Sequence, residues 1–296
     1  MSSTTRTRVP RIPLGKARNR PASPGQRPPA PARRPADRAT FRHSLHAEWI
    51  KIRTMRSTLY VILGTLALGA GLAALNGSST GGEYATMTAA DRLTFDPLAT
   101  SMKGYMLAQV TIALLGGLVI TAEYGSRTVV STLTAVPHRN RVLAAKAVVL
   151  GTIALLAGLL TTFTGFLAGQ TALKSAGAPY LELSDPGVVR AVLGGALFLA
   201  LTGLLGLAVG TLIRSTTATV TTLFAGLLIM PAFGPALPGP LADWAGKYWP
   251  PTAGGQIMTG YRDPALLDPW PGLGVLAGCV AVLLTAAFLT FRRRDA

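Results

Sequence analysis

The sequence predicts an all-α, polytopic membrane protein with six transmembrane helices. Of the 296 residues, 49% are hydrophobic and 14% are charged, whereas soluble domains carry about 25% charged residues. Apolar runs of about 20 residues, the length that crosses a bilayer, recur along the chain. We place the spans at residues 58–75, 102–122, 143–173, 188–213, 216–237 and 273–291.

Residues 1–40 precede the predicted transmembrane domain, which covers residues 41–296, and form an arm rich in Arg and Pro. Ten of the sixteen net positive charges lie within residues 1–42. Such a segment buries too little apolar area to offset its ordering entropy, so we expect a disordered arm. A basic tail can bind nucleic acid, but no recognition module follows this one. Attraction to anionic membrane lipids is therefore favoured over nucleic acid.

Residues 41–56 form a predicted amphipathic helix that ends at Arg56. Phe41, Leu45, Trp49 and Ile52 recur at helical spacing and share one face. The opposite face carries Arg42, Glu48, Lys51 and Arg53. A stripe that contains Trp and is flanked by cations is typical of a helix lying in the membrane interface. An ordinary juxtamembrane helix without lipid contact is the alternative.

Lysine and arginine in the short loops are concentrated on one side of the predicted bundle. That side receives the N-terminal arm, the loops after the second and fourth spans, and the arginines after the sixth. The other three loops mix a few cations with most of the acidic residues. This asymmetry predicts that both termini are cytoplasmic in a multi-pass protein of the cell (plasma) membrane.

The segment after the second span is the most informative. Ser126 can cap a short helix over residues 126–137, which Pro137 would end. Glu123 precedes it, and a carboxylate at the end of a span is costly unless it is paired. We expect Glu123 to begin the next helix, or to pair with a cation such as Arg53 or Arg56 or one on a partner. A loop that folds back onto the bilayer is the alternative.

Residues 238–271, between the fifth and sixth spans, are rich in aromatic side chains. Trp and Tyr concentrate at headgroup depth, so two short helices that dip into the outer leaflet are predicted in place of a disordered loop. Other signals are weaker. Gly206 and Gly210 form a GxxxG pattern that permits close helix approach, and Pro231 and Pro235 should bend the fifth span.

The sequence lacks the residues that nucleotide binding, metal binding, ion coupling and catalysis would need. The chain has no phosphate-binding loop, so ATP and Mg²⁺ are expected on another subunit and no cofactor on this chain. Cys279 is the single cysteine and the three histidines lie outside the spans, which argues against a metal site. Acidic residues are nearly absent from the span interiors, which argues against an ion-coupled carrier. Paired catalytic groups are also lacking, so we expect no enzyme activity.

Four segments resemble the membrane subunit, or permease, of ATP-binding-cassette (ABC) transporters with the type-two exporter membrane domain. They are HAEWIKIRTMRST before the first span, EYGSRTVVSTLTAVPHRNRVLAAKAVV after the second, KYWPPTAGGQIM before the sixth, and the terminal FRRRDA, which is similar to actinobacterial members. The resemblance covers residues 41–296, and the second segment is the most specific.

The resemblance implies that residues 126–137 are a coupling helix that docks on a cytoplasmic ABC ATPase. The coupling residues it implies are Glu123, Tyr124, Gly125, Ser126, Arg127, Thr128, Leu133, Pro137, Arg139 and Arg141. It makes residues 41–56 a connecting helix on the inner leaflet and residues 238–271 a re-entrant outer region. The outer residues it singles out are Trp244, Tyr248, Trp249, Pro250, Gly254 and Gly255.

The same resemblance implies a second permease copy, identical or paralogous, with the first, second and fifth spans lining the path between the two. The implied activity is export of an amphipathic small molecule, a drug or antibiotic, or a lipid-like cargo. A membrane regulatory or immunity protein that binds a partner without transport is the competing hypothesis.

Overall fold

The computed structural model describes residues 41–125 and 139–293, which are helical apart from short connections and contain no strand. Six of its helical stretches are long and apolar enough to cross a membrane. They are Arg56–Thr86, Pro97–Gly125, Asn140–Ser175, Val188–Ile213, Thr216–Ala236 and Pro269–Arg292. The all-α prediction is confirmed for the described residues, and the six long apolar helices agree with the six predicted spans. The predicted arm over residues 1–40 lies outside the described residues.

The α-helices of the described residues number twelve in chain order. They are α1 (Phe41–Thr54), α2 (Arg56–Glu83), α3 (Ala89–Leu93), α4 (Pro97–Met102), α5 (Tyr105–Gly125), α6 (Arg139–Ser175), α7 (Val188–Ile213), α8 (Thr216–Phe224), α9 (Met230–Phe233), α10 (Pro240–Tyr248), α11 (Pro250–Gly255) and α12 (Pro269–Arg293). Helices α4 and α5 together make the second span, and α8 and α9 belong to the fifth.

Helix α7 occupies the centre of the bundle and is the most buried of the six spans. It packs against α5, α6 and α12, while α2 packs mainly along α6. The largest apolar core lies between these helices and includes Phe166, Phe198, Leu199 and Leu276. The first, fifth and sixth spans are the least buried, so they form the lipid-accessible periphery of a single chain.

Glycine brings α5 and α7 into backbone contact. A methyl group added at Gly206 would lie 1.9 Å from the carbonyl oxygen of Ala113, and one added at Gly116 would lie 2.0 Å from that of Gly203. Neither position can accept a side chain without separating the two helices. The GxxxG pattern, which is weak in a sequence rich in glycine, therefore marks a real crossing.

The first span is longer than predicted. Helix α2 continues to Glu83 rather than ending near residue 75, through the polar sequence NGSSTGGE. The reason is packing on α6: added methyl groups at Gly77 and Gly81 would lie 2.6 Å from the Gly169 carbonyl oxygen and 2.7 Å from the Ala176 Cβ atom. Tertiary contact here outweighs the low helix propensity of glycine.

The fifth span contains a π-helical turn at Ala225–Ile229 just before Pro231. The Met230 N–H donates to the Ala225 carbonyl in π register, and the next donor would be proline, which has none. Side chains supply the missing donors. Trp249 Nε1 donates to the Gly226 carbonyl at 2.8 Å, and Gln109 Nε2 to the Leu227 carbonyl at 3.2 Å.

The connection before the last span contains two short helices, α10 and α11, as the aromatic pattern predicts. It is fastened at the far end of the bundle by Asp96. This carboxylate caps α4 through the N–H groups of Leu98 and Ala99. It also accepts from the N–H groups of Gly260 and Tyr261 at 2.7 and 2.8 Å. One side chain thus joins the start of the second span to the segment that leads into the sixth.

Candidate functional site

Four ionisable side chains meet at the end of the bundle where α1, the last turn of α5 and the first turns of α6 come together. Glu48 and Lys51 lie on α1, Glu123 on α5 and Lys146 on α6. We call these four residues the charge cluster. It holds together three elements that are far apart in sequence, and it flanks residues 126–138, which lie outside the described residues.

Lys146 is the centre of the charge cluster. Its Nζ donates to Glu48 Oε2 at 2.8 Å and to Glu123 Oε1 at 2.7 Å. Lys51 Nζ also donates to Glu123 Oε1. The side chain of Lys146 is 1% exposed and those of Glu48 and Glu123 are 9% and 7% exposed, whereas Lys51 reaches the surface. Two carboxylates and the Lys146 ammonium group thus meet with little access to water, and the Lys51 ammonium group joins them from the surface.

The charge cluster has equal numbers of positive and negative groups, which makes its burial tolerable. Removing one member of a buried ion pair typically costs about 3–5 kcal/mol, because the remaining charge is left without a partner. Burial lowers the pKa of the Lys51 ammonium, the nearby Lys146 cation lowers it further, and Glu48 raises it. Like-charge crowding between the two lysines is therefore part of the electrostatics of this site.

The prediction for Glu123 is corrected in two respects. Glu123 lies in the last turn of α5 and does not begin the next helix. Its carboxylate pairs with Lys51 and Lys146, and not with Arg53 or Arg56, whose side chains are exposed. A carboxylate at a helix C-terminus is disfavoured by about 0.3–1 kcal/mol, and two ammonium groups offset this.

The prediction for the faces of α1 also needs correction. The residues that α1 buries are Ser44, Glu48 and Ile52, which share one face. Glu48 is predicted on the polar face opposite the apolar stripe, but its side chain points into the bundle, where it forms an ion pair with the buried Lys146. Phe41 and Trp49 are 40% and 38% exposed. The apolar stripe therefore faces largely outward, where a membrane interface would lie.

The other residues of the predicted coupling group are distributed as follows. Tyr124 packs under the guanidinium of Arg214, whose Cζ atom is 5.2 Å from the ring centroid. Gly125 ends α5, and Arg141 is exposed in the first turn of α6. Arg139 begins α6. Ser126, Arg127, Thr128, Leu133 and Pro137 lie outside the described residues, as does the whole predicted helix over 126–137.

The predicted outer residues form a packed structure at the far end. Trp244 and Trp249 contact edge to face, with ring centroids 5.9 Å apart. Gly254 and Gly255 are buried, and methyl groups added there would meet Leu276 and the Tyr105 hydroxyl at 2.9 and 3.0 Å. Trp244 and Tyr248 are exposed. Pro250 begins α11.

Three residues with structural roles at these sites were not identified in the sequence. Lys146 is absent from the predicted site residues, although a lysine inside the apolar run AAKAVV is itself a signal of a paired intramembrane charge. Asp96 is absent from them too, although Asp followed by Pro is typical of a helix start. Gln109 carries no such local signal, since its partner is 118 positions away.

The charge cluster consists of two carboxylates and two ammonium groups that pair with one another. Within residues 41–125 and 139–293, no three His, Cys, Asp or Glu side chains are close enough to hold a metal ion. Comparison of the chain with protein-family models and with curated proteins gives no match. The function must therefore be argued from the geometry and from the residues themselves.

Proposed function

We propose that this chain is the membrane-spanning permease subunit of an ATP-binding-cassette transporter and exports an amphipathic cargo. ATP would be hydrolysed by a separate cytoplasmic ATPase that docks on residues 126–138. The observation that carries the proposal is the charge cluster, which ties both flanks of that segment to the interfacial helix α1.

The physical argument concerns how force could pass from a docked partner into the bundle. Residues 126–138 leave α5 just after Glu123 and enter α6 shortly before Lys146. Because the cluster joins these flanks to each other and to α1, a push on the segment would move α1, α5 and α6 together. A loop with no mechanical role would not need two buried carboxylates and a buried lysine, which are expensive to place there.

The arrangement of the spans favours assembly with a second permease copy. The resemblance assigns the transport path to the first, second and fifth spans, and the first and fifth are peripheral in the single chain. Large apolar side chains are exposed on both, including Leu59, Tyr60 and Leu63 on α2 and Phe224 and Ile229 on the fifth span. These faces are available to lipid or to a second membrane subunit.

The test uses the full chain, co-expressed with a candidate ABC ATPase from the same source and reconstituted in lipid vesicles. We expect a stable complex, ATP hydrolysis that depends on the membrane subunit, and export of a fluorescent amphipathic dye. Glu123→Gln should leave the complex intact and lower export per ATP by about tenfold, within the range of typical coupling energies. Glu182→Gln, which changes an exposed carboxylate at the far end, is the matched control.

The outcomes separate the proposal from its alternative. Export by Glu123→Gln equal to that of the wild type, at equal expression, would remove the coupling role of the charge cluster. A membrane-inserted chain that forms no complex with the ATPase would instead support a regulatory or immunity protein without transport.

A further inference from the structure

A groove of about 920 Å³ runs between α1 and the start of α6, on the outer side of the bundle. It is distinct from the charge cluster, which lies on the buried face of α1. The groove is lined by Arg42, His43, Leu45, His46, Trp49, Val148, Val149 and Thr152. Its volume is within the range of about 300–1,000 Å³ that is usual for ligand sites.

The two walls of the groove differ in chemistry. Arg42, His43 and His46 make a polar, hydrogen-bond-donating edge near the start of α1. Leu45 and Trp49 continue along α1 as an apolar surface. The α6 wall includes Val148, which is 50% exposed although it lies on a membrane-spanning helix. A ligand that fits both walls has an anionic head and a hydrocarbon tail.

We propose that this groove binds an anionic phospholipid. The phosphate oxygens would accept charge-assisted hydrogen bonds from the Arg42 guanidinium, whose planar donors match phosphate geometry. The imidazole of His46 can donate an N–H. The indole of Trp49 would lie at headgroup depth, where Trp is preferred. One acyl chain would follow the α6 wall along Val148 and Thr152.

Charge complementarity favours this occupant over others available to the chain. In the described part of the chain no carboxylate forms an ion pair with Arg42, because Glu48 on the same helix is held by Lys146. The Arg42 guanidinium can therefore pair with an anion in the groove. Residues 1–40 are a poor candidate, since they carry most of the net positive charge of the protein and would be repelled.

Location gives a second argument. Val148 and Thr152 lie in the third and fourth turns of α6, whose third turn also carries Lys146 of the charge cluster. The polar edge lies at the start of α1, and the other end of α1 leads into the first span at Arg56. Headgroup and acyl-chain depths of one leaflet therefore meet along this groove. A water-soluble anion would find only the polar half of its lining.

The test uses the delipidated full chain in a neutral detergent. Palmitoyl-oleoyl phosphatidylglycerol or the matching phosphatidylcholine is added, and bound lipid is counted by native mass spectrometry while the melting temperature is followed. We expect phosphatidylglycerol to bind and to raise the melting temperature as a saturable ligand does. Arg42→Gln should weaken this binding by about 10–100-fold, the loss of one hydrogen-bonded charge.

Matched variants distinguish the groove from general attraction to a basic protein. Arg53→Gln removes the same charge from the exposed end of the same helix and should leave the affinity unchanged. Val148→Phe narrows the apolar wall and should weaken binding, whereas Val282→Phe, at a 69% exposed site on α12, should not. A groove variant that still binds with wild-type affinity would contradict the assignment.

Three further results would overturn the proposal. Equal binding of phosphatidylcholine would show that the anionic head is not recognised. Displacement of the lipid by millimolar inorganic phosphate alone would show that the apolar wall contributes nothing. If Val148→Phe converted a dimer into monomers without changing lipid binding, the groove would be an interface between copies of the chain.

Discussion

Replacing Lys146 with methionine is expected to destabilise the protein more than any other single charge removal at this end of the bundle. Methionine keeps the length of the side chain but leaves Glu48 without its lysine partner and removes one ammonium group from Glu123. Breaking a buried pair in this way costs about 3–5 kcal/mol. At about 2–4 °C per kcal/mol for a chain of this size, the melting temperature should fall by about 6–20 °C.

The assay is thermal unfolding of the detergent-solubilised full chain, followed by tryptophan fluorescence. Lys174→Met is the matched control, because Lys174 is exposed in the last turn of the same helix and should have an effect of at most about 0.5 kcal/mol. The double variant Glu48→Gln with Lys146→Met removes the stranded carboxylate and should recover part of the loss. If Lys146→Met melts with the control, the charge cluster does not hold α1 to the bundle.

Three further predictions follow from other contacts. Gly206→Ala should lower the free energy of unfolding by about 1–3 kcal/mol because its methyl group meets a backbone carbonyl of α5, whereas Gly278→Ala, with nothing within 4 Å of the added carbon, should be neutral in the same unfolding assay. Asp96→Ala should cost about 1–3 kcal/mol and speed proteolysis of the segment before the sixth span, since four backbone N–H groups lose their acceptor; unchanged cleavage would contradict its fastening role. Because burial lowers the pKa of Lys51 from 10.5, the unfolded chain binds more protons than the folded chain between the two pKa values, so the stability contributed by this residue should rise as the pH rises toward 10.5. Lys51→Met should remove that rise, and a fall in the wild type over the same range would contradict the sign.

The helices could be predicted because their signal is local. A run of about 20 apolar residues that crosses a bilayer must satisfy its own backbone hydrogen bonds, which a helix does. All six long apolar helices could therefore be located from composition. The boundaries were less predictable where packing decides them. Helix α2 extends through a glycine-rich stretch because α6 lies close beside it. The sequence of residues 76–83 alone does not indicate that α6 packs there.

The charge cluster could be predicted only in part because its contacts are distant in sequence. The need of Glu123 for a cation follows from elementary electrostatics, and that prediction is confirmed. The identity of the cation depends on how α1 is rotated on α6, which the amphipathic pattern misjudged. The amphipathic pattern assumes that polar side chains face away from the bundle. Glu48 faces inward because it forms an ion pair there with the buried ammonium group of Lys146.

The bend in the fifth span has a mechanical consequence. Its two freed carbonyls accept hydrogen bonds from side chains of two different segments, Gln109 on α5 and Trp249 between α10 and α11. The bend is therefore specified by the fold as well as by Pro231. The part of the fifth span beyond Gly226 is thus linked to the second span through Gln109 and to the short helices that follow it through Trp249. A displacement of the second span or of the short helices would be transmitted to the other through these contacts, unless both hydrogen bonds break.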